Sequence, residues 1–158
     1  FFHAEDAIRE RSPSRGLGDV YKRQEIEKGL DYVRDNSRAV LATRRRDGSP
    51  QMSPVTLAVV DNEIIMSTRE TAIKTWNLRR DPVSWLCVFP DKWLGRWVQL
   101  QCRSDIVSLP DAMDLLVNYY RTLSGEHPDW DDYRRAMTED QRCIVKFEIE
   151  AAGPDIQG

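Results

Sequence analysis

The feature that most constrains this chain is a series of short apolar runs joined by tight turns. The first three runs span 39–46, 51–60 and 63–67. Asp47-Gly48 separates the first two runs, and Asp61-Asn62 separates the second from the third. Because Asp-Gly between such runs is a strong β-hairpin signal, we expect three consecutive antiparallel strands.

Three further strands are expected in the second half of the chain, at 83–89, 96–108 and 141–150. The run from Val83 to Phe89 is apolar almost throughout, which predicts burial on both faces. Val98, Leu100 and Cys102 instead alternate with other residues, as in a strand with one face in the core. Strands of these two kinds favour a closed barrel. The sequence therefore predicts a mainly β, α+β fold with six antiparallel strands and flanking helices.

Helical spacing marks three segments. Ile26, Leu30 and Val33 lie four and three residues apart, which predicts a helix over 24–36 that covers the sheet. Two more helices are predicted between the fifth and sixth strands, over 111–123 and from Pro128 onward.

At 158 residues the chain has the length of one domain. Residues 1–24 show no steady periodicity and resemble translated adapter sequence, with a flexible native arm as the alternative, so we expect a disordered leader outside the fold. The barrel domain is expected at 25–150 and a short tail at 151–158.

The composition argues against several classes of partner. A net charge of −3 and a pI near 5.5 provide no basic field for nucleic acid or for an anionic membrane. No apolar run is long enough to span a bilayer. Cys87, Cys102 and Cys143 have no paired spacing, and His3 and His127 are the two histidines, so neither a disulfide framework nor a metal site is predicted. A cytoplasmic location fits this composition.

One segment combines a predicted helix start with basic residues. Ser67 and Glu70 stand three residues apart, as in a capping box, so a helix is expected from Thr68 to the stop at Pro82. The free N–H groups of its first turn, the neighbouring hydroxyls and Lys74 would favour an anion. A solvated basic helix between two strands is the simpler interpretation of the same residues.

No residue stands out as a catalytic acid, base or nucleophile. The sequence has no Walker A loop, G-x-G-x-x-G motif or Gly-x-Ser-x-Gly elbow. We interpret His127 and the acidic residues from Asp129 to Asp140 as capping and solvated groups around a helix. The tryptophans are expected mainly in the core or an interface, and Trp97 is kept as a candidate contact for a flat ligand.

Two motifs indicate a family. The first combines Asp-Gly-x-Pro-Gln at 47–51, a strand ending in Ser-Thr at 67–68 and Lys-x-x-Asn-Leu-Arg-Arg-Asp-Pro at 74–82. The second, at 124–137, is Ser-Gly-Glu-His-Pro-Asp-Trp-Asp-Asp-Tyr-Arg-Arg-Ala-Met. Over 26–149 the chain resembles the flavin and deazaflavin oxidoreductase split-barrel superfamily, which includes pyridoxamine 5′-phosphate oxidase. The second motif resembles the actinobacterial branch that binds the deazaflavin coenzyme F420.

The resemblance implies an FMN-binding type of split barrel that forms a homodimer, with each cofactor in a groove at the subunit interface. Lys74 matches the lysine that meets the cofactor phosphate, and Trp97 falls where the other subunit contributes a contact. The cofactor-binding residues carried over by position are Gln51, Met52, Ser53, Pro54, Val55, Ser67, Thr68, Arg69, Lys74, Asn77 and Trp97.

The chain departs from the family pattern just before the lysine. Relatives commonly carry a second cation there, whereas this chain has Ala72 and Ile73. Arg69 or Arg79 would therefore have to supply the second positive charge to the phosphate.

The activity implied by the resemblance is that of an F420-dependent oxidoreductase. Such an enzyme transfers a hydride from the reduced deazaflavin to an unsaturated small organic acceptor, and the cofactor carries the chemistry. An FMN-dependent oxidase or reductase is one alternative, and a non-catalytic cofactor- or tetrapyrrole-binding protein is another. Oxidation of pyridoxamine phosphate itself is not expected, because the arginine-rich C-terminal signature of those enzymes is missing.

Overall fold

The computed structural model describes the backbone of residues 4–153 and the side chains of residues 16–153. The strands are β1 Arg38–Arg44, β2 Pro50–Thr56, β3 Ala58–Val60, β4 Glu63–Arg69, β5 Val83–Val88, β6 Val98–Val107 and β7 Arg142–Ala152. The helices in this part of the chain are α1 Ala4–Asp35, α2 Ile73–Arg80, α3 Met113–Ser124 and α4 Trp130–Glu139. All strand pairs are antiparallel, and the seven strands form one sheet in the order β2-β1-β5-β6-β7-β4-β3.

The expected antiparallel split-barrel fold of α+β type is confirmed. The sheet has seven strands rather than six, and it is an open, curled barrel rather than a closed one. The predicted strand at 51–60 is divided at Leu57 into β2 and β3. These two strands lie at opposite edges of the sheet although one residue joins them. Since consecutive Cα atoms are about 3.8 Å apart, the sheet curls until its two edges meet at Leu57. Leu57 is fully buried there, and its N–H donates to the carbonyl of Ser37 at 2.7 Å.

The sheet buries one face more completely than the other. Leu41, Leu86 and Leu100 are paired in one row across β1, β5 and β6, and all three are fully buried. The side chains of the neighbouring rows point to the opposite side of the sheet, which we call the outer face. It is formed by Met52, Pro54, Val40, Ala42, Trp85 and Cys87. Trp85 is half-buried and Cys87 is exposed, so the predicted burial of 83–89 on both faces was wrong.

Helix α1 covers one end of the sheet, as the apolar stripe predicted. Val33 is 2% exposed in the core, and Leu30 packs against the same cluster. At Gly29 the helix approaches so closely that a Cβ atom would lie 2.9 Å from Leu100 Cδ2. The helix starts at Ala4, well before the predicted start at residue 24, and so takes in most of the expected leader. Residues 1–3 of that leader and 154–158 of the expected tail lie outside the described residues.

Helix α2 starts later than the sequence predicted. Strand β4 continues to Arg69, because its pairing with β7 extends to the Arg69–Arg142 pair and holds Ser67 and Thr68 extended. The helix begins at Ile73 without a side-chain cap. The predicted capping box was therefore wrong. Glu70 instead accepts a hydrogen bond from Ser108 Oγ at 2.7 Å and pairs with Arg79 Nη2 at 2.5 Å.

Helices α3 and α4 pack together over a second core cluster. Tyr133 donates from its hydroxyl to the carbonyl of Leu116 at 2.8 Å. His127 Nδ1 accepts from the N–H of Asp129, and Asp129 Oδ1 accepts from the N–H of Asp132. These contacts fit the interpretation of His127 and Asp129 as capping groups. None of the helices in the described part of the chain is long and apolar enough to cross a membrane.

Candidate functional site

A cavity of about 450 Å³ lies where the barrel is open, between β2 and β4. The barrel is open there because β3 is short. It pairs with β4 as far as Ile65, so the edge of β4 from Met66 to Arg69 has no partner strand on that side. The cavity lies between this free edge and the end of β2, and its lining residues are Arg38, Ala39, Pro54, Val55, Thr56, Met66, Ser67, Lys74, Phe89 and Tyr119.

Lys74 carries an unneutralised charge into this cavity. Its side chain is half-buried in the first turn of α2. Among the described side chains, none of the carboxylates lies within ion-pair distance of Lys74. Burial lowers the pKa of the Lys74 ammonium, and the positive charge of Arg142 lowers this pKa further. A partly desolvated cation without an acidic partner attracts an anion.

Two further polar side chains border the cavity. Tyr119 donates from its hydroxyl to the carbonyl of Thr56 at 2.9 Å, and burial raises the pKa of its phenol. Arg38 pairs with Asp91 at 3.0 Å, with both side chains largely exposed. Neither Arg38 nor Tyr119 was predicted as a site residue from the sequence. Arg38 only flanks a strand, and Tyr119 belongs to a helix that reaches the cavity through packing, so neither has a local sequence signal.

The structure brings together part of the predicted set of site residues. Pro54, Val55, Ser67 and Lys74 line the cavity. Gln51, Met52 and Ser53 lie farther along β2, and the buried Ser53 hydroxyl has no hydrogen-bond partner among the described residues.

Three other residues of that set do not line the cavity. Thr68 is buried, and its hydroxyl accepts from Thr75 at 3.4 Å. Arg69 is 55% exposed. Asn77 is buried, donates to Thr43 Oγ1 at 3.0 Å and accepts from Arg80 at 3.1 Å. In this structure the amide of Asn77 therefore holds α2 against β1.

Trp97 lies in an adjoining cavity of about 340 Å³. Arg38 and Phe89 line both cavities. The second cavity is lined mainly by the loop between β5 and β6, where Trp93 and Leu94 are more than four-fifths exposed. The two cavities are therefore neighbours on either side of Arg38 and Phe89.

The site offers binding groups rather than reactive ones. No group of three or more His, Cys, Asp or Glu residues within the described range is placed to hold a metal ion. Burial raises the pKa of the Cys87 and Cys102 thiols, the latter to about 12, so neither is a ready nucleophile. The arrangement can hold an anion and a flat ring, and a bound cofactor would have to supply the chemistry.

Comparison with known proteins assigns the fold to a family. A family model described as pyridoxamine 5′-phosphate oxidase matches residues 26–153. The chain therefore belongs to the pyridoxamine 5′-phosphate oxidase family. The match starts at residue 26, within α1, and includes the whole sheet. It also includes Lys74 and every other residue lining the two cavities.

Solved structures show the same split-barrel fold. A conserved hypothetical protein of Mycobacterium tuberculosis is 26% identical with a TM-score of 0.66, over 80% of this chain and 81% of that one. An F420 reductase is 20% identical with a TM-score of 0.61, over 78% and 94%. The heme storage protein HutZ of Vibrio cholerae is 10% identical with a TM-score of 0.63, over 83% and 94%. Members of the fold thus serve different ligands.

Proposed function

We propose that this family member is an F420-dependent oxidoreductase that reduces an unsaturated small organic acceptor in the cytoplasm. The observation that carries the proposal is the half-buried Lys74, which faces the cavity without an acidic partner among the described residues. The second sequence motif and the likeness to an F420 reductase support F420 over FMN. When bound, the reduced deazaflavin would supply the hydride.

The residues of the chain would bind the cofactor, orient it and exclude water. Lys74 would hold the phosphate as a point charge. The edge of β4 at Ser67 borders the cavity without a partner strand on that side, and the Tyr119 hydroxyl lies against its backbone. Pro54 and Val55 would form the wall along the ring, and the neighbouring cavity at Trp97 would give space for the ring system and an acceptor. The buried, unpartnered hydroxyl of Ser53 fits a site that a polar ligand completes.

We propose that the protein works as a homodimer that uses the outer face as its interface. The outer face presents Met52, which is 62% exposed, beside Ala42 and the half-buried Trp85. A contiguous apolar patch of this kind is typical of an interaction site. Pro54 belongs both to the outer face and to the cavity lining. A second copy on this face would therefore border the cofactor site.

The proposal is tested by substituting the lysine. Lys74→Ala should weaken F420 binding by about tenfold or more at low salt, because it removes a charge-assisted contact in a partly buried site. Lys28→Ala is the matched control, since Lys28 is a lysine on α1 with 68% of its side chain exposed. Binding is followed by deazaflavin fluorescence. Equal affinities for the two variants would refute the phosphate site.

The alternative functions predict different results in the binding and turnover experiments. An FMN enzyme would bind FMN at Lys74 and would leave F420 fluorescence unchanged. A carrier would bind a cofactor or a tetrapyrrole without turnover of any acceptor. An acceptor panel with bound, reduced F420 therefore separates the proposed reductase from a carrier.

A further inference from the structure

A basic concavity lies at the end of the β1–β2 hairpin that is remote from the Lys74 cavity. Its volume is about 470 Å³, and its lining residues are Arg44, Arg45, Arg46, Gly48, Arg80, Asp81 and Pro82. Arg38 of β1 lines the Lys74 cavity, whereas Arg44 is the last residue of the same strand. At about 3.3 Å per residue the two positions are roughly 20 Å apart. The concavity is therefore separate from the proposed cofactor site.

Positive charge is in excess in this concavity. Four of its seven lining residues are arginines, and Asp81 is the acidic residue among them. The chain as a whole carries a net charge of −3, so these basic residues are a local concentration rather than part of a general basic surface. A concave surface lined by charges of one sign attracts ions of the other sign.

Two of the arginines are held in place by the fold. Arg80, the last residue of α2, donates to the carbonyl of Arg44 at 2.6 Å and to the amide oxygen of Asn77 at 3.1 Å. Arg44 Nε lies 2.8 Å from Asp81 Oδ2, and the Arg44 guanidinium lies 5.3 Å from the centroid of the Trp85 ring. Because both guanidinium groups are oriented without a ligand, less side-chain freedom would be lost when an anion binds.

The other two arginines have no ion-pair partner. Arg45 and Arg46 are exposed in the turn between β1 and β2. Among the described side chains, no carboxylate lies within ion-pair distance of either guanidinium. Asp47, the acidic residue of the same turn, accepts hydrogen bonds from the N–H of Ser49 at 3.0 Å and from its hydroxyl at 2.6 Å. The turn thus places two exposed guanidinium groups beside the two that the fold holds.

We propose that this concavity is a second anion site, which binds a small molecule with two or more adjacent carboxylate or phosphate groups. A guanidinium presents a planar set of donors that fits either group. Arg44 and Arg80 would hold one anionic group, and Arg45 and Arg46 would hold the next. A volume of about 470 Å³ is in the range of small-molecule sites.

Nucleic acid fits the same arginines less well. Its phosphates repeat along a chain, so tight binding requires several phosphate contacts along an extended basic surface. The arginines here belong to one turn and one helix end, and the chain is acidic overall. The size of the concavity and the distribution of charge therefore favour a small polyanion.

The test uses inorganic tripolyphosphate and citrate as probes, each titrated into the protein at low salt. The amide NMR signal of Gly48 reports on the concavity, and that of Ser67 reports on the Lys74 cavity. We expect a saturable shift of the Gly48 signal, and the probe that binds more tightly shows whether phosphate or carboxylate is preferred. The double substitution Arg45→Gln/Arg46→Gln should weaken this binding by about tenfold or more, because charge-assisted hydrogen bonds are lost.

The matched control is the double substitution Arg134→Gln/Arg135→Gln. It also removes two positive charges from neighbouring, exposed positions, but these lie on α4 and outside the concavity. Arg135 loses exposed ion pairs with Asp132 and Glu139, which contribute little to stability. The control should bind both probes at Gly48 within about twofold of the unmodified protein. Equal losses in the two double variants, or no saturable Gly48 shift with either probe, would overturn the proposal.

The second anion site does not depend on the proposed function. Lys74→Ala should leave probe binding at Gly48 unchanged, even if it removes a response at Ser67. If Arg45→Gln/Arg46→Gln weakened the response at Ser67 as much as that at Gly48, the two sites would not be separate and the proposal would be wrong.

Discussion

Tyr119 and Thr56 join two elements that the sheet itself leaves apart. The Tyr119 hydroxyl donates to the Thr56 carbonyl at 2.9 Å and so connects α3 to the end of β2. Strand β2 is an edge strand: β1 pairs with it on one side, and none of the described strands pairs with it on the other. A helix side chain therefore bridges to the end of β2 inside the cavity that Lys74 also lines.

Removing this contact should destabilise the protein. Tyr119→Phe deletes the donor and leaves the Thr56 carbonyl without it, so the free energy of unfolding should fall by about 1 kcal/mol. Urea unfolding measures the change. Tyr21→Phe is the control, because Tyr21 is 66% exposed on α1. A Tyr119→Phe protein as stable as its control would show that the hydrogen bond does not hold α3 in place.

Asn77 should act on stability rather than on binding. Its buried amide bridges Thr43 and Arg80. Asn77→Ala leaves the polar groups around it unsatisfied and should lower the free energy of unfolding by about 1–3 kcal/mol. Below its melting temperature the variant should bind F420 within about twofold of the unmodified protein. A large loss of affinity at unchanged stability would instead mean that Asn77 contacts the cofactor, as the family motif implies.

The sequence predicted the strands well because turn residues and alternation are local signals. It could not predict the break at Leu57, since the apolar run continues through that residue and only the curling of the sheet separates β2 from β3. The spacing of Ser67 and Glu70 fits a capping box, but the pairing of β4 with β7 keeps Ser67 in an extended strand instead. Lys74 was found through its motif. Tyr119 reaches the cavity only through the packing of α3, which no local pattern reveals.

Lys74 should lower the stability of the ligand-free protein. The folded state lowers its pKa, so between the folded and unfolded pKa values the unfolded chain binds more protons, and stability rises with pH there. The cost of the charge is therefore complete below the folded pKa and fades as the pH approaches the ordinary lysine value.

Lys74→Met should accordingly raise the free energy of unfolding slightly at pH 7, because solvent screens much of the charge of this half-buried side chain, while weakening cofactor binding. Urea unfolding at pH 7 and near pH 10.5 checks this, and the gain should shrink at the higher pH. Lys28→Met, at an exposed position, should change stability little at either pH. A loss of stability at pH 7, or a gain that grows with pH, would contradict this account of the charge.

The proposed dimer makes the outer face sensitive to charge. Met52→Asp places a carboxylate in the apolar row with Ala42 and Trp85, so it should shift the protein from dimer to monomer in sedimentation velocity. Thr138→Asp, at an exposed position on α4, is the control and should leave the dimer intact. A dimer that tolerates Met52→Asp would place the interface elsewhere.

The most direct test of the central claim is titration of the protein with F420 and with FMN at low salt, followed by the fluorescence of each ring. We expect saturable binding of F420 with a change in deazaflavin fluorescence, lost in Lys74→Ala, and markedly weaker binding of FMN. Tight FMN binding without any F420 response, or F420 binding that is indifferent to Lys74, would contradict the account.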